Sequence, residues 1–352
     1  MRLHRLWLRA LHVAALGLIG AVGCSEQALT PVVVSQAGML DVPAAIRAEP
    51  PTRELPSAPE RGETFQRGIV LGPLVASAKE SVFKREQTRL IDRAAALGAT
   101  DVQVVVRWLQ PSPTAVEIAP YETVHDELLT WVLDYARRRK LRVQLSPQLG
   151  VASAPESTES GRAGQLLRPS SWERWWWSYE RFVLHYARVA AMRKVPALSI
   201  GSELTKAESQ SERWRKLVAE VRGIYKGRLT YVASAQSFDQ VGFWDALDVV
   251  SVAVDQERPS SEGQLVERLA PLARRLAAAG EVRERGYVLV EGTCGGEAPD
   301  ATDALVCKRA LYKSFRDERE LRGVYVPAPS DGTRREGEAA EVVRQWFKKS
   351  KR

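Results

Sequence analysis

The stretch PALSIGSE, residues 196–203, decides the fold. Its short apolar run is typical of a buried strand, and it lies between two longer stretches, 171–193 and 208–225, whose apolar residues recur at helical spacing. A strand between two helices is the repeating unit of a parallel α/β sheet. The run ends in an acid, Glu203, and a second run, GYVLVEGT at 286–293, delivers Glu291 in the same way.

The same alternation continues over the whole of residues 65–352. Eight apolar runs predict strands at 69–74, 102–109, 141–147, 196–203, 229–234, 247–254, 286–292 and 322–328. Helical patterns separate them at 80–97, 122–139, 171–193, 208–225, 262–279 and 301–318, and one more follows the last strand at 335–349. Eight such units favour a single-domain (β/α)8 TIM barrel over an open doubly wound sheet, and no phosphate-binding glycine motif follows an early strand to support that alternative.

The first 64 residues are predicted to contain an export signal and a tether rather than part of the barrel. Residues 1–23 combine three arginines with a short apolar run and no acid, which is typical of a signal peptide. The run AVGC at 21–24 is similar to a bacterial lipobox, so Cys24 is the candidate lipidation site, with ordinary cleavage nearby or an uncleaved membrane anchor as alternatives. Residues 24–64 are rich in Pro and Ala and predict a disordered tether. We expect a cell-envelope lipoprotein on the periplasmic or the surface side.

Charge and cysteine content limit the remaining functions. Three of the eight net positive charges belong to the signal peptide, and the others are mixed with acids along helices, which argues against nucleic-acid binding. Cys294 and Cys307 form one possible disulfide in an oxidising compartment, or else two buried thiols. Few histidines remain after the signal is removed, so we expect no metal, no organic cofactor and a monomer.

The two strand-ending acids predict a catalytic pair. In a barrel enzyme the chemistry lies on the loops at the carboxyl ends of the strands, so Glu203 after strand 4 and Glu291 after strand 7 are expected to face each other across the mouth. Two such carboxyl groups hydrolyse glycosidic bonds when one holds a proton and the other stays ionised. The pattern therefore indicates a glycoside hydrolase.

Longer blocks of sequence resemble a known family. The segment WERWWWSYERFVLHYARVAAMRKVPALSIGSEL, the block WRKLVAEVRGIYKGRLTYVAS and VGFWDALDVVSV are similar, in order, to the family-113 glycoside hydrolases, clan-A barrels that include endo-β-mannanases. The similarity is close over residues 172–252 and looser over the rest of the barrel. It implies retaining hydrolysis of a mannan-like β-linked polysaccharide or oligosaccharide, with Glu203 as acid/base and Glu291 as nucleophile.

Further candidates for substrate binding surround these acids; they are Arg107, Trp108, Trp172, Ser234, Asp255 and Tyr325. The triplet at 175–177 is expected mainly to pack in the core. Several positions depart from the family pattern, because Ser234, Ala235, Asp255 and Pro327 stand where polar or aromatic residues are expected. A catalytically inactive barrel that binds glycan or a partner at the cell envelope is therefore the alternative to an enzyme.

Overall fold

The computed structural model describes residues 65–75, 79–121, 123–153, 163–256, 261–283, 286–294, 301–328 and 334–349. The predicted signal peptide with Cys24 and the predicted tether lie outside these residues. Internal contacts divide the chain into Met1–Arg53 and Glu54–Arg352, and every described residue belongs to the second unit. Among the described residues, no helix is both long and apolar enough to cross a membrane.

The second unit is a closed barrel of eight parallel strands paired in sequence order, with β1 next to β8. This confirms the predicted (β/α)8 fold. The strands are β1 (Gln66–Leu71), β2 (Asp101–Gln110), β3 (Arg142–Val151), β4 (Ala197–Ser202), β5 (Arg228–Ser234), β6 (Val249–Gln256), β7 (Tyr287–Cys294) and β8 (Leu321–Pro327).

Helices separate most of the strands and form the outer layer. They are α1 (Glu80–Ala96), α2 (Asp126–Arg138), α3 (Ala163–Leu166), α4 (Trp172–Met192), α5 (Thr205–Glu208), α6 (Ser211–Ile224), α7 (Glu262–Arg283), α8 (Ala301–Phe315) and α9 (Arg334–Lys349). The predicted helix at 208–225 corresponds to α6, and the short α5 before it was not predicted. Two 3-10 turns, Phe238–Gln240 and Trp244–Ala246, replace a helix after β5.

Each strand has a helix-facing and an interior face, and register assigns residues to them. Trp108 of β2 lies 5.1 Å from Phe182 of α4, ring centroid to ring centroid. Trp108 and every second residue from it along β2 therefore face the helices. Tyr325 of β8 faces the interior, where its phenol feels the charges of Asp101 and Arg228 on other strands. Residues that pair across strands share a face, so these two anchors fix the direction of their neighbours around the barrel.

The interior is polar near its middle and the outer layer is apolar. Inside, Gln103 donates to the Ser146 hydroxyl at 3.4 Å, and the hydroxyls of Thr230 and Ser251 lie 2.8 Å apart. Between strands and helices, aromatic residues of α4 pack in close contact; Trp175 stacks on Tyr179 at 4.9 Å between ring centroids. The Trp175 ring is buried, as is that of Trp176, whereas Trp177 is exposed, which confirms core packing for most of the triplet.

Candidate active site

Glu203 follows β4 in a backbone conformation that few non-glycine residues adopt. Its φ of 49° lies in the left-handed region. The pairing of β4 with β5 shifts between Ser199 and Ser202, and the Glu203 amide then donates to the Val232 carbonyl at 2.7 Å. A bulge followed by a left-handed residue takes the side chain out of the normal strand alternation. Such local strain persists where neighbouring structure holds it, and it is common at active sites.

The neighbours that hold Glu203 are identifiable. A Cβ on Gly164 of α3 would lie 2.0 Å from the Glu203 carbonyl oxygen, so a side chain at 164 is incompatible with this packing. The next amide, that of Leu204, donates to the Tyr231 hydroxyl at 2.7 Å. These contacts fix the backbone on both sides of the carboxyl group.

A buried carboxylate that sequence reasoning missed completes this support. Glu208 of α5 accepts hydrogen bonds from the Tyr231 hydroxyl at 2.8 Å and the Ser237 hydroxyl at 2.9 Å. Burial raises the Glu208 pKa, and the two hydrogen bonds oppose that rise by stabilising the ionised form. The only signal in the sequence was an acid five residues after Glu203, and such acids are usually solvated.

The Glu203 carboxyl group has the properties of a proton donor. It is buried, at 8% exposure, and no hydrogen bond or ion pair to it occurs within the described residues. Burial raises its pKa to about 8, with smaller contributions from the charges of Asp255 and Glu208. A carboxyl group with this pKa keeps its proton at neutral pH, as a general acid requires.

Glu291 does not face Glu203, contrary to the prediction from sequence. Both of its oxygens accept from the Lys308 ammonium of α8, at 2.8 and 2.7 Å. Val290 pairs with Tyr325 and therefore points into the barrel, so the alternation of the strand turns Glu291 towards the helix layer. The prediction was wrong because an acid at a strand end reaches the mouth only if its side chain points into the barrel.

The Glu291–Lys308 ion pair joins β7 to α8 beside a second link. A disulfide connects Cys294 at the end of β7 to Cys307, the residue before Lys308. Both side chains of the ion pair are almost fully buried, at 8% exposure for Lys308 and 3% for Glu291. Glu291 is therefore part of the packing of α8 against the barrel.

Three of the other predicted residues lie on the interior face towards the mouth. Arg107 has the parity opposite to Trp108 and packs beside Gly150 of β3. Ser234 ends β5 and pairs with Ala253, which shares an interior parity with Asp255 two residues further along β6. Asp255 is half-buried and acts electrostatically on Glu203.

The aromatic candidates lie elsewhere, which corrects two predictions. Trp108 donates from its indole nitrogen to the Tyr186 hydroxyl at 2.9 Å, on the helix-facing side. Tyr325 is buried and donates to the Gln66 side chain at 3.0 Å, towards the amino-terminal end of the barrel. Only Trp172 remains near the mouth, half-buried at the first turn of α4. An aromatic residue on a barrel strand can contact substrate at the mouth only if its side chain points into the barrel and it lies near the carboxyl end of the strand.

A cavity of about 970 Å³ adjoins Trp108 but lies away from the acids. Residues 116–120 and the solvent-facing side of α4 line it, including Trp177 and His185. Arg181 covers the Trp177 ring at 4.6 Å. This cavity lies outside the barrel wall, so it is separate from the mouth that holds Glu203.

The mouth can perform acid-catalysed bond cleavage at an acetal. It brings a protonated Glu203 close to the negative charge of Asp255, while the surrounding barrel limits the access of water. Within the described ranges, no three His, Cys, Asp or Glu residues are arranged to hold a metal ion. The interior acids at this mouth, Glu203 and Asp255, are groups of the kind used in glycoside hydrolysis.

Comparison with known proteins agrees with this chemistry. Residues 76–296 match the profile of Glycoside Hydrolase Family 113. The chain is 23% identical to a solved β-mannanase from Alicyclobacillus acidocaldarius, with a TM-score of 0.69 over 81% of this chain and 97% of that one. A second solved β-1,4-mannanase is 20% identical with a TM-score of 0.68, over 81% and 99% of the two chains. No curated protein sequence gave a significant match.

Proposed function

Because the chain belongs to Glycoside Hydrolase Family 113, we propose that it cleaves β-linked, mannan-like polysaccharide or oligosaccharide with Glu203 as the proton donor. The observation that carries the proposal is the buried Glu203 carboxyl group, whose pKa is about 8. The mannan-type substrate is suggested by the related structures, which are β-mannanases. Membership of the family makes the protein a glycoside hydrolase, and the substrate and the residue roles are the proposed part.

In the proposed reaction, Glu203 gives its proton to the glycosidic oxygen as the bond to the anomeric carbon breaks. Proton donation by a positioned side chain accelerates a reaction by about 10²–10⁴-fold. The strained backbone at Glu203 and the contacts from Gly164 and Tyr231 keep the carboxyl group in place, which supports the same role. Interior residues Arg107 and Ser234, together with Trp172 at the rim, are proposed to contact the sugar.

The test is hydrolysis of β-1,4-linked manno-, gluco- and xylo-oligosaccharides by the full chain in detergent. We expect turnover on manno-oligosaccharides that Glu203→Gln lowers by about 10²–10⁴-fold. Glu212→Gln is the matched control, because the Glu212 side chain is 95% exposed on α6. Loss of turnover in both variants, or none in the wild type on any substrate, would contradict the proposal. Glycan binding without turnover would favour the alternative of a binding barrel.

That alternative has one specific observation in its favour. Glu291, the acid that the family resemblance assigns as nucleophile, is bound by Lys308 behind the barrel wall. An enzyme that works through Glu203 therefore needs a different second group.

We also propose that the protein is exported and anchored by lipid on Cys24. The support is the sequence of residues 1–24, with its basic start, apolar run and AVGC motif. Metabolic labelling with a radioactive fatty acid should mark the wild type and leave Cys24→Ala unmarked. Equal labelling of both would contradict an anchor at this position.

A further inference from the structure

The mouth has a second interior carboxylate, Asp255, next to the end of β7. Val254 pairs with Glu291, whose side chain faces the helices, so the next residue of β6 points into the barrel. Pairing resumes only at Gln256 with Cys294, so two residues of β7 lie opposite one residue of β6. This is a β-bulge at the mouth, a feature that often re-aims side chains beside active sites.

The Asp255 carboxylate fills the place of a missing side chain on β7. Gly292 has the interior parity that Glu291 lacks, and a Cβ on it would lie 2.2 Å from Asp255 Oδ1 and 3.1 Å from its Cγ. Its φ is not in the left-handed region, so the neighbouring carboxylate, which would have to shift, is what opposes a larger residue at this position. An acid from β6 thus stands where an interior side chain from the end of β7 would stand.

The negative charge of Asp255 helps Glu203 to keep the proton that a general acid needs. Burial and the negative charge of Asp255 both favour the protonated form of Glu203. Asp255 itself is half-buried. Glu291 has no comparable position, because its carboxylate is bound by the Lys308 ammonium on the other side of β7.

We propose that Asp255, rather than Glu291, is the nucleophile that works with Glu203. An Asp255 oxygen attacks the anomeric carbon and forms a glycosyl ester as the glycosidic C–O bond breaks. The electron pair of that bond goes to the leaving oxygen, which takes the Glu203 proton. Glu203 then removes a proton from water, whose oxygen attacks the same carbon and releases Asp255. Two inversions give net retention of configuration. This inference rests on the proposed function.

The first experiment traps the ester on the full chain. The probe is 2,4-dinitrophenyl 2-deoxy-2-fluoro-β-mannoside, whose good leaving group needs no proton and whose fluorine slows release of the ester. Peptide mass spectrometry should find one fluoromannosyl group on the peptide that contains Asp255. A label on Glu291, or turnover of the non-fluorinated mannoside with inverted product, would overturn the proposal.

The second experiment separates the two mouth acids by leaving group. With 2,4-dinitrophenyl β-mannoside as substrate, Asp255→Asn should lose roughly 10⁴-fold or more of kcat, since the nucleophile is needed for any leaving group. Glu203→Gln should form the ester at nearly the wild-type rate, because this leaving group needs no proton. With an unactivated manno-oligosaccharide both variants should be impaired.

Controls distinguish failure of this inference from failure of the proposed function. Glu291→Gln, measured per folded molecule, should stay within about threefold of the wild type on both substrates. Azide added to Asp255→Gly should yield the glycosyl azide of inverted configuration. An active wild type with an equally active Asp255→Asn overturns only the nucleophile assignment, whereas a wild type inert on every β-linked substrate overturns the proposed function as well.

A third variant perturbs Asp255 without removing its charge. Gly292→Ala places a methyl group against Asp255 Oδ1, so the carboxylate must move. We expect kcat to fall at least tenfold while the thermal midpoint changes little, since the three atoms nearest to such a methyl group all belong to Asp255. An unchanged kcat would show that the position of Asp255 is irrelevant to the reaction and would overturn the assignment.

Discussion

Glu203 and Glu291 end two strands of one barrel, and both are buried, yet their surroundings are opposite. Glu203 follows a bulge in a left-handed conformation and has a pKa raised to about 8 by burial and neighbouring negative charge. Glu291 keeps the regular alternation of β7 and is bound through both oxygens by Lys308. An apolar run that ends in an acid therefore has two meanings, and the direction of the side chain decides between chemistry and packing.

The largest difference should appear when each glutamate is replaced in turn by glutamine. Glu203→Gln is expected to lower kcat on unactivated manno-oligosaccharides by about 10²–10⁴-fold, because the amide has no proton to give. The thermal midpoint of this variant at pH 7 should equal that of the wild type, since the Glu203 carboxyl group is already neutral at that pH. Steady-state kinetics and calorimetry on the same samples measure both. A large loss of stability with unchanged kcat would reverse the roles of the two glutamates.

Glu291→Gln should act on stability instead. It leaves the Lys308 ammonium buried without its anion, which costs about 3–5 kcal/mol of the free energy of unfolding. The double variant Glu291→Met/Lys308→Met replaces the pair with apolar side chains of similar length and should recover most of that loss. Urea unfolding measures all three proteins. If the single and double variants were equally unstable, the ion pair would not be the cause.

The disulfide beside this ion pair should make a somewhat smaller contribution. It closes a loop of 13 residues, which stabilises by about 3 kcal/mol through the entropy of the unfolded chain. Cys294→Ser/Cys307→Ser should lower the urea midpoint, and reducing agent should do the same to the wild type only. Reductant that also destabilises the double variant would point to a different cause.

The remaining effect concerns pH. Glu203 ionises near pH 8 in the folded protein and at its ordinary, lower pKa when unfolded, so between these values the unfolded state binds fewer protons. Stability therefore falls as pH rises through this window. Activity should fall about tenfold per pH unit above about pH 8 as the acid loses its proton. Activity that already falls as pH rises through about 5 would contradict a raised pKa of Glu203.

Much of the barrel could be predicted because it depends on repeating patterns. Eight short apolar runs alternating with helical stretches specify the strand order without knowledge of any contact, and all eight strands appear close to their predicted bounds. The short α5 was not predictable, because its separation from α6 depends on contacts such as the bond from the Trp214 indole to the Ala207 carbonyl at 2.9 Å.

The site was predictable only where it depends on strand ends. Glu203 was predicted as a site residue because it follows a strand directly, and Asp255 was a candidate because it stands at the equivalent place on β6. The directions of Glu291, Trp108 and Tyr325 depend on register, and a shift of one residue exchanges interior and helix-facing positions. The bulge at β4 directly precedes Glu203, whereas these three residues lie in regularly paired stretches, so their faces follow once the register is known and not before.

The most direct test compares Glu203→Gln with Glu291→Gln on one unactivated manno-oligosaccharide, with rates corrected for the folded fraction of each protein. We predict that kcat/KM falls by at least about 10²-fold for Glu203→Gln and stays within about threefold of the wild type for Glu291→Gln. A loss of similar size in both variants would contradict the distinction between an acid at the mouth and an ion pair behind the barrel wall.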